Sequence, residues 1–307
     1  MTAWRTILVF IDGLGWGAPD PRCNPCLTYG GEVFRWAQPS MPSTVQPAVL
    51  GGAVRPIDAV LGVPGIPQSA TGQTTLLTGV NAQGLLGKHL TGFPNPELRA
   101  VLLEKSILKV LTRRGCAARF LNAYRPRFWD LTRGQQMTLS ATTVANLAAD
   151  LPFLTLEDLR QGRALYQEFT NAELQARGFD VPSCTPAQAG RILAGQARHY
   201  DFTLFEYFQS DKAGHSGDRG RIEAELVKLD AFLLAVLGEI EPDLRQGTLV
   251  VVTSDHGNLE DPTTPRHTTN PIPLLAWGRG AEDFVRGVAR LDEVAGAVIA
   301  RHGGNPE

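Results

Sequence analysis

Ser69 ends a loop, GVPGIPQ, that cannot be regular structure: Pro64 and Pro67 lack amide donors, and Gly62 and Gly65 permit positive φ. Residues 70–77 can start a helix directly after it. That puts the Ser69 hydroxyl beside unpaired amides at the positive end of a helix dipole, a favourable place for a phosphate. A serine there is commonly no more than a helix cap. What points further is a set of acids and histidines, Asp12, Asp211 with His215, and Asp255 with His256, each following an apolar run of strand length. If they converge, the three carboxylates repel one another unless cations join them. Mixed oxygen and imidazole donors suit two divalent metal ions, manganese or zinc, better than calcium. Two such ions about 4 Å apart activate a nucleophile on one side and hold a phosphoryl oxygen on the other. Ser69 is the candidate catalytic nucleophile.

The elements that must position these groups are legible from apolar patterning. Runs 6–11 (TILVFI), 118–123, 201–208 (DFTLFEYF), 248–253 (TLVVVT) and 272–277 (IPLLAW) read as strands. Helices are expected over 96–114, from the Thr185–Pro186 cap to about 199, over 220–240 and over 292–301. Strands alternating with helices, several apolar throughout, imply an α/β fold with a mainly parallel sheet flanked by helices on both faces. In such sheets the working crevice lies outside the carboxyl ends of the strands, where the three acid-bearing segments would meet. The weaker pattern over 124–183 reads as a small inserted lid, dividing a core made of 1–123 and 184–307.

The 307 residues carry a formal charge of −2 with no long block of one sign, so neither nucleic acid nor a membrane surface is expected as the main partner. The apolar stretch 7–11 runs straight into Asp12 and is too short for a membrane span, so it reads as a buried strand and not a signal peptide. The four cysteines make no dense disulfide framework, which fits a cytoplasmic protein. Cys23 and Cys26 form a CxxC with no second pair to complete a zinc set. GLGWG is GxGxG, not GxGxxG, and Asp12 before it would repel a pyrophosphate, so a nucleotide-dependent oxidoreductase is only a weak rival. Lys88, Arg125, Arg127, Lys212 and Arg219 are candidate holders of a substrate anion, with solvated surface charge as the plainer reading. No apolar stripe is surplus to the core, so oligomeric state stays open.

Taken together and in order, VFIDGLGWG, PQSATG, DKAGH, SDHGNLED and HTTNPIPLLAWG resemble the metal and nucleophile motifs of the alkaline phosphatase superfamily. The likeness is greatest to the branch of cofactor-independent phosphoglycerate mutase and phosphopentomutase. The resemblance implies one metal held by Asp12, Ser69, Asp255 and His256, and another by Asp211, His215 and His267. It also implies a covalent phosphoenzyme on Ser69, and His267 is assigned through the resemblance alone. Two departures stand out: Gln68 precedes the nucleophile where the mutases have an acid or Asn, and Gln73 replaces the histidine of their Gly-His pair. The short 124–183 segment leaves room only for a reduced cap, and a mutase must keep water from its phosphoenzyme. The expectation is therefore a phosphomonoester hydrolase acting on a small phosphorylated substrate. A phosphomutase of small sugars or acids and a catalytically silent metal-binding protein are the alternatives.

Overall fold

The computed structural model describes residues 4–34, 36, 45–244 and 247–303; the extreme ends of the expected core ranges lie outside them. Among the described residues, seven strands form one sheet in the order β2-β3-β7-β6-β1-β5-β4. They are β1 (Arg5–Ile11), β2 (Gln46–Ala48), β3 (Gly52–Ile57), β4 (Ala118–Phe120), β5 (Phe202–Tyr207), β6 (Thr248–Thr253) and β7 (Ile272–Gly278). The centre is parallel, with β1 between β5 and β6 and β4 beside β5. β7 runs against both β6 and β3, and β2 against β3. The sheet is thus mixed, with five strands sharing one direction.

The central strands β1, β5 and β6 are buried at every position but Arg5, and mostly apolar, because both faces are covered. Ile7, Val9 and Ile11 of β1 join Phe205, Tyr207, Val250 and Val252 in one cluster, filled from above by Leu193, Leu226, Leu229 and Phe232. Leu8 and Phe10 point the other way and join Leu204, Val251, Leu274, Leu102, Leu108, Val144 and Val298. Each fully buried side chain of this size contributes roughly 1.5–3 kcal/mol. On the first face the helix Pro186–Ala197 lies against the long helix Arg219–Leu244. Their close approach needs Gly190, where a Cβ would sit 2.4 Å from the Phe232 carbonyl oxygen.

Local chemistry moves some boundaries. The helix expected over 96–114 is two, Pro96–Lys105 and Ile107–Arg113, because Ser106 is extended and its Oγ accepts from the Lys109 amide at 3.3 Å, capping the second. The final helix is Val294–Arg301, entered through a 3₁₀ turn at Leu291–Glu293. Strands β2 and β3 were not expected from the sequence, since Gly51, Gly52, Pro47 and Pro56 break up their pattern. Side chains of 124–183 enter both core clusters, Leu154, Leu165 and Phe169 on one face and Val144 on the other.

Candidate metal and nucleophile site

All the proposed reactive side chains lie at one edge of the sheet, for a topological reason. Asp12 follows β1, Asp211 and His215 lie on the helix Gln209–Ser216 after β5, and Asp255 and His256 follow β6. The chain after β3, whose direction matches β1, leads through the glycine-proline loop to the helix Ser69–Thr78. β7 runs the other way, so it is its entrance, carrying His267, that reaches this edge.

The serine helix is buried along its whole length except at Ser69. Its threonines are accommodated because Thr74, Thr75 and Thr78 donate to the carbonyls of Ala70, Thr71 and Thr74 at 2.6–2.8 Å. Gly79, at φ 73°, closes the helix by donating to the Thr75 carbonyl. At the other end no side chain caps it, and Ser69 is its first residue.

Two groups of side chains converge there that could each hold a cation, Asp12, Asp255 and His256 in one and Asp211, His215 and His267 in the other. In the first, His256 Nε2 lies 3.3 Å from Asp255 Oδ2 and 3.4 Å from Asp12 Oδ1, and Ser69 Oγ is 3.0 Å from the same nitrogen. In the second, His215 Nε2 is 3.3 Å from Asp211 Oδ2, His267 Nε2 is 3.4 Å from Asp211 Oδ1, and the two imidazole nitrogens are 3.0 Å apart. The rings of His256 and His267 stack at 3.7 Å, joining the groups. The sequence-derived residues therefore all come together.

The remaining lone pairs distinguish the two oxygens of each acid. Asp255 Oδ1 accepts from the amides of Gly13 and His256, and Asp12 Oδ2 accepts from Gln73 Nε2 at 3.1 Å. Their other oxygens, Asp255 Oδ2 and Asp12 Oδ1, are buried with no hydrogen-bond partner. Buried orphan acceptors facing an imidazole nitrogen are costly without a ligand, so the donor set fits a divalent cation. The Nδ1 atoms of His215 and His267 meet the carbonyls of Pro265 and Pro67 at 2.8 and 3.0 Å, which turns both Nε2 atoms inward. His256 Nδ1 is buried without such an acceptor.

Electrostatics carry the same strain. Burial, then repulsion from Asp255 and Asp211, raises Asp12 well above the carboxylate range. Burial and Asp211 push Asp255 up to about 7. Burial and His267 hold His256 down to about 3. Asp211 is partly buried, which opposes its charge, yet hydrogen bonding to His267 and the neighbouring histidines and Asn258 bring it to about 2. Acids forced to keep protons beside an imidazole forced to lose one form a set that positive charge would relieve.

Several contributors escaped the sequence. Glu206, on β5, is buried behind this edge, accepts from Thr142 Oγ1 at 2.7 Å, and is raised to about 7 chiefly by burial. Asn258 donates to Asp211 Oδ1 at 2.7 Å, and Ser254 Oγ accepts from the Leu14 amide at 2.9 Å. Of the candidate anion holders, all five are exposed; Lys212 lies 4.7 Å above the Phe208 ring, and Arg219 is engaged by Glu223 at 3.1 Å. Cys23 and Cys26 are both free, and burial raises the Cys26 thiol.

Residues 185–306 match the family model described as the Metalloenzyme superfamily. Among curated proteins, the 2,3-bisphosphoglycerate-independent phosphoglycerate mutase of Ruegeria pomeroyi is 33% identical over 132 residues, 41% of this chain and 25% of that protein. The enzyme of the same name from Dinoroseobacter shibae is 33% identical over 107 residues, 33% of this chain and 20% of that protein. The chain thus matches only a fifth to a quarter of the length of these relatives. In overall fold it superposes on the alkaline phosphatase of the Antarctic bacterium TAB5, with TM-score 0.55, 16% identity, and 98% and 99% of the two chains covered. The Thermus thermophilus alkaline phosphatase gives TM-score 0.56 at 12% identity, covering 99% and 93%. Over residues 185–306 this chain is thus similar to the metalloenzyme superfamily, and its overall fold is similar to that of the alkaline phosphatases.

Proposed function

We propose that this chain is a metal-dependent phosphomonoesterase in which Ser69 is the nucleophile. The observation that carries the reading is the position of Ser69 Oγ, 3.0 Å from His256 Nε2, at a helix start beside two groups of acids and histidines. On this reading Asp12, Ser69, Asp255 and His256 would hold one divalent ion and Asp211, His215 and His267 a second, manganese or zinc. Such ions supply positive charge that favours the serine alkoxide and neutralises the transferring phosphoryl oxygens. Ser69 Oγ attacks phosphorus in line, an Oγ–P bond forms, and the ester P–O bond breaks as the alcohol leaves and takes up a proton. Water then attacks the phosphoserine, releasing inorganic phosphate and restoring the hydroxyl.

Hydrolysis is preferred because the second group is open to water, with the His215 side chain 45% exposed. The 124–183 segment serves as a reduced cover: its Gln167 and Glu173 accept from Gln209 Nε2, on the helix that carries Asp211. The mutase names of the relatives favour a second reading, isomerisation of a small phosphorylated sugar or acid. No described helix is long and apolar enough to cross a membrane, and the four free cysteines fit a reducing cytoplasm. The test is a panel of small phosphate monoesters supplied with manganese or zinc. Phosphate release by the natural chain, lowered roughly 10⁴-fold or more in Ser69→Ala, is expected. Isomer formation without phosphate release would select the mutase, and release undiminished in Ser69→Ala would overturn the nucleophile.

A further inference from the structure

We propose that Glu260 is the positioning residue for both metal groups, a single buried carboxylate that sets the turn after β1 against the two arms of the β6–β7 connection. This rests on the reading that the site holds metal. Glu260 is 1% exposed. Four donors hold it. Oε2 accepts from the amides of Gly15 at 2.9 Å and Asn258 at 2.7 Å, while Oε1 accepts from Thr268 Oγ1 and from Asn270 Nδ2 at 3.0 Å.

Each donor is a short step from a ligand. Gly15 is on the turn that carries Asp12, Thr268 follows His267, and Asn258 is two residues beyond His256. Asn258 also reaches the other group directly, since its Nδ2 donates to Asp211 Oδ1 at 2.7 Å. One carboxylate therefore fixes the backbone behind ligands of both groups, and the Thr268 amide, donating to the Gly257 carbonyl at 3.0 Å, closes the same knot. The backbone approaches the carboxylate closely on two sides. A Cβ on Gly15 would lie 2.1 Å from the Glu260 carboxyl carbon, and one on Gly257 would lie 2.3 Å from Oε1.

All four partners donate, so the site requires acceptors on both oxygens. Glu260→Gln preserves shape but replaces one acceptor by an NH₂, which faces two backbone amide donors if placed at Oε2 and forces the Thr268 hydroxyl and the Asn270 side-chain amide to reverse if placed at Oε1. Groups that orient metal ligands are typically worth 10–100-fold in metal affinity. The experiment is titration of the metal-free full chain with cobalt(II), read by its visible absorption spectrum, for the natural chain and Glu260→Gln. Binding weakened about 10–100-fold with an altered spectrum, in a variant whose far-ultraviolet dichroism is native, is expected. Unchanged affinity and spectrum in the folded variant overturn the role of Glu260 while leaving the functional reading standing. A natural chain that takes up no cobalt overturns both. If Glu260→Gln does not fold, Thr268→Val removes one donor and keeps the carboxylate; a several-fold weaker affinity is then expected, and an unchanged one overturns the proposal.

Discussion

Asp12 and Asp255 each have one oxygen tied to the protein and one left bare, and this division is what fits the cluster to a cation. Without metal, Asp255 keeps its proton up to about 7, and Asp12 is raised as well, both chiefly through burial. Metal ligands must be deprotonated, so uptake competes with these protons. Below about pH 7 the proton holds the site; above it the carboxylate is free. Metal affinity is therefore expected to rise with pH through about 7, with protons released on binding, measurable by calorimetry in buffers of different ionisation enthalpy. Affinity that is the same at pH 5.5 and pH 8 would contradict this account of the residues. The ligand types and their order were legible in the sequence because Asp-His pairs after apolar runs are local patterns. Gln73 and Glu206 were not, since their meaning comes from contacts with Asp12 and Thr142 that only the fold creates.

At the scale of elements, the serine helix is positioned by contact with the end of β6. Gly72 lies where a Cβ would come within 2.7 Å of the Asp255 carbonyl oxygen and 3.0 Å of its Cβ. Gly72→Ala must push the helix, and Ser69 with it, away from the first group of ligands. A folded protein with turnover lowered about 10²-fold is expected, checked by steady-state phosphate release alongside metal content. Native turnover in that variant would show that the helix contact is not what sets the nucleophile. The strands that bury both faces could be read from their unbroken apolar runs. The antiparallel flank could not: β2 is only three residues long, β3 contains Pro56, and the direction of β7 depends on a partner far away in the chain. That reversal is also what brings His267 to the site, which no local pattern announces. The break at Ser106 was concealed by apolar spacing that continues across it, although serine is a natural helix start.

For the whole molecule, the sheet, its two helical layers and the 124–183 segment make one body of alkaline-phosphatase-like fold, covering 98% of this chain in the TAB5 comparison. The curated mutases match over a much smaller share of their own length, so their reaction does not transfer with the motif. On the proposed reading, Ser69 carries the phosphoryl group. The direct measurement is to mix the manganese- or zinc-loaded chain with a small phosphate monoester that it turns over, quench in acid, and map phosphorylation by peptide mass spectrometry. Phosphate on Ser69, absent from Ser69→Ala and without metal, is the predicted result. Turnover of the ester with Ser69 never phosphorylated, under conditions where added phosphoserine peptide survives the quench, would contradict the account.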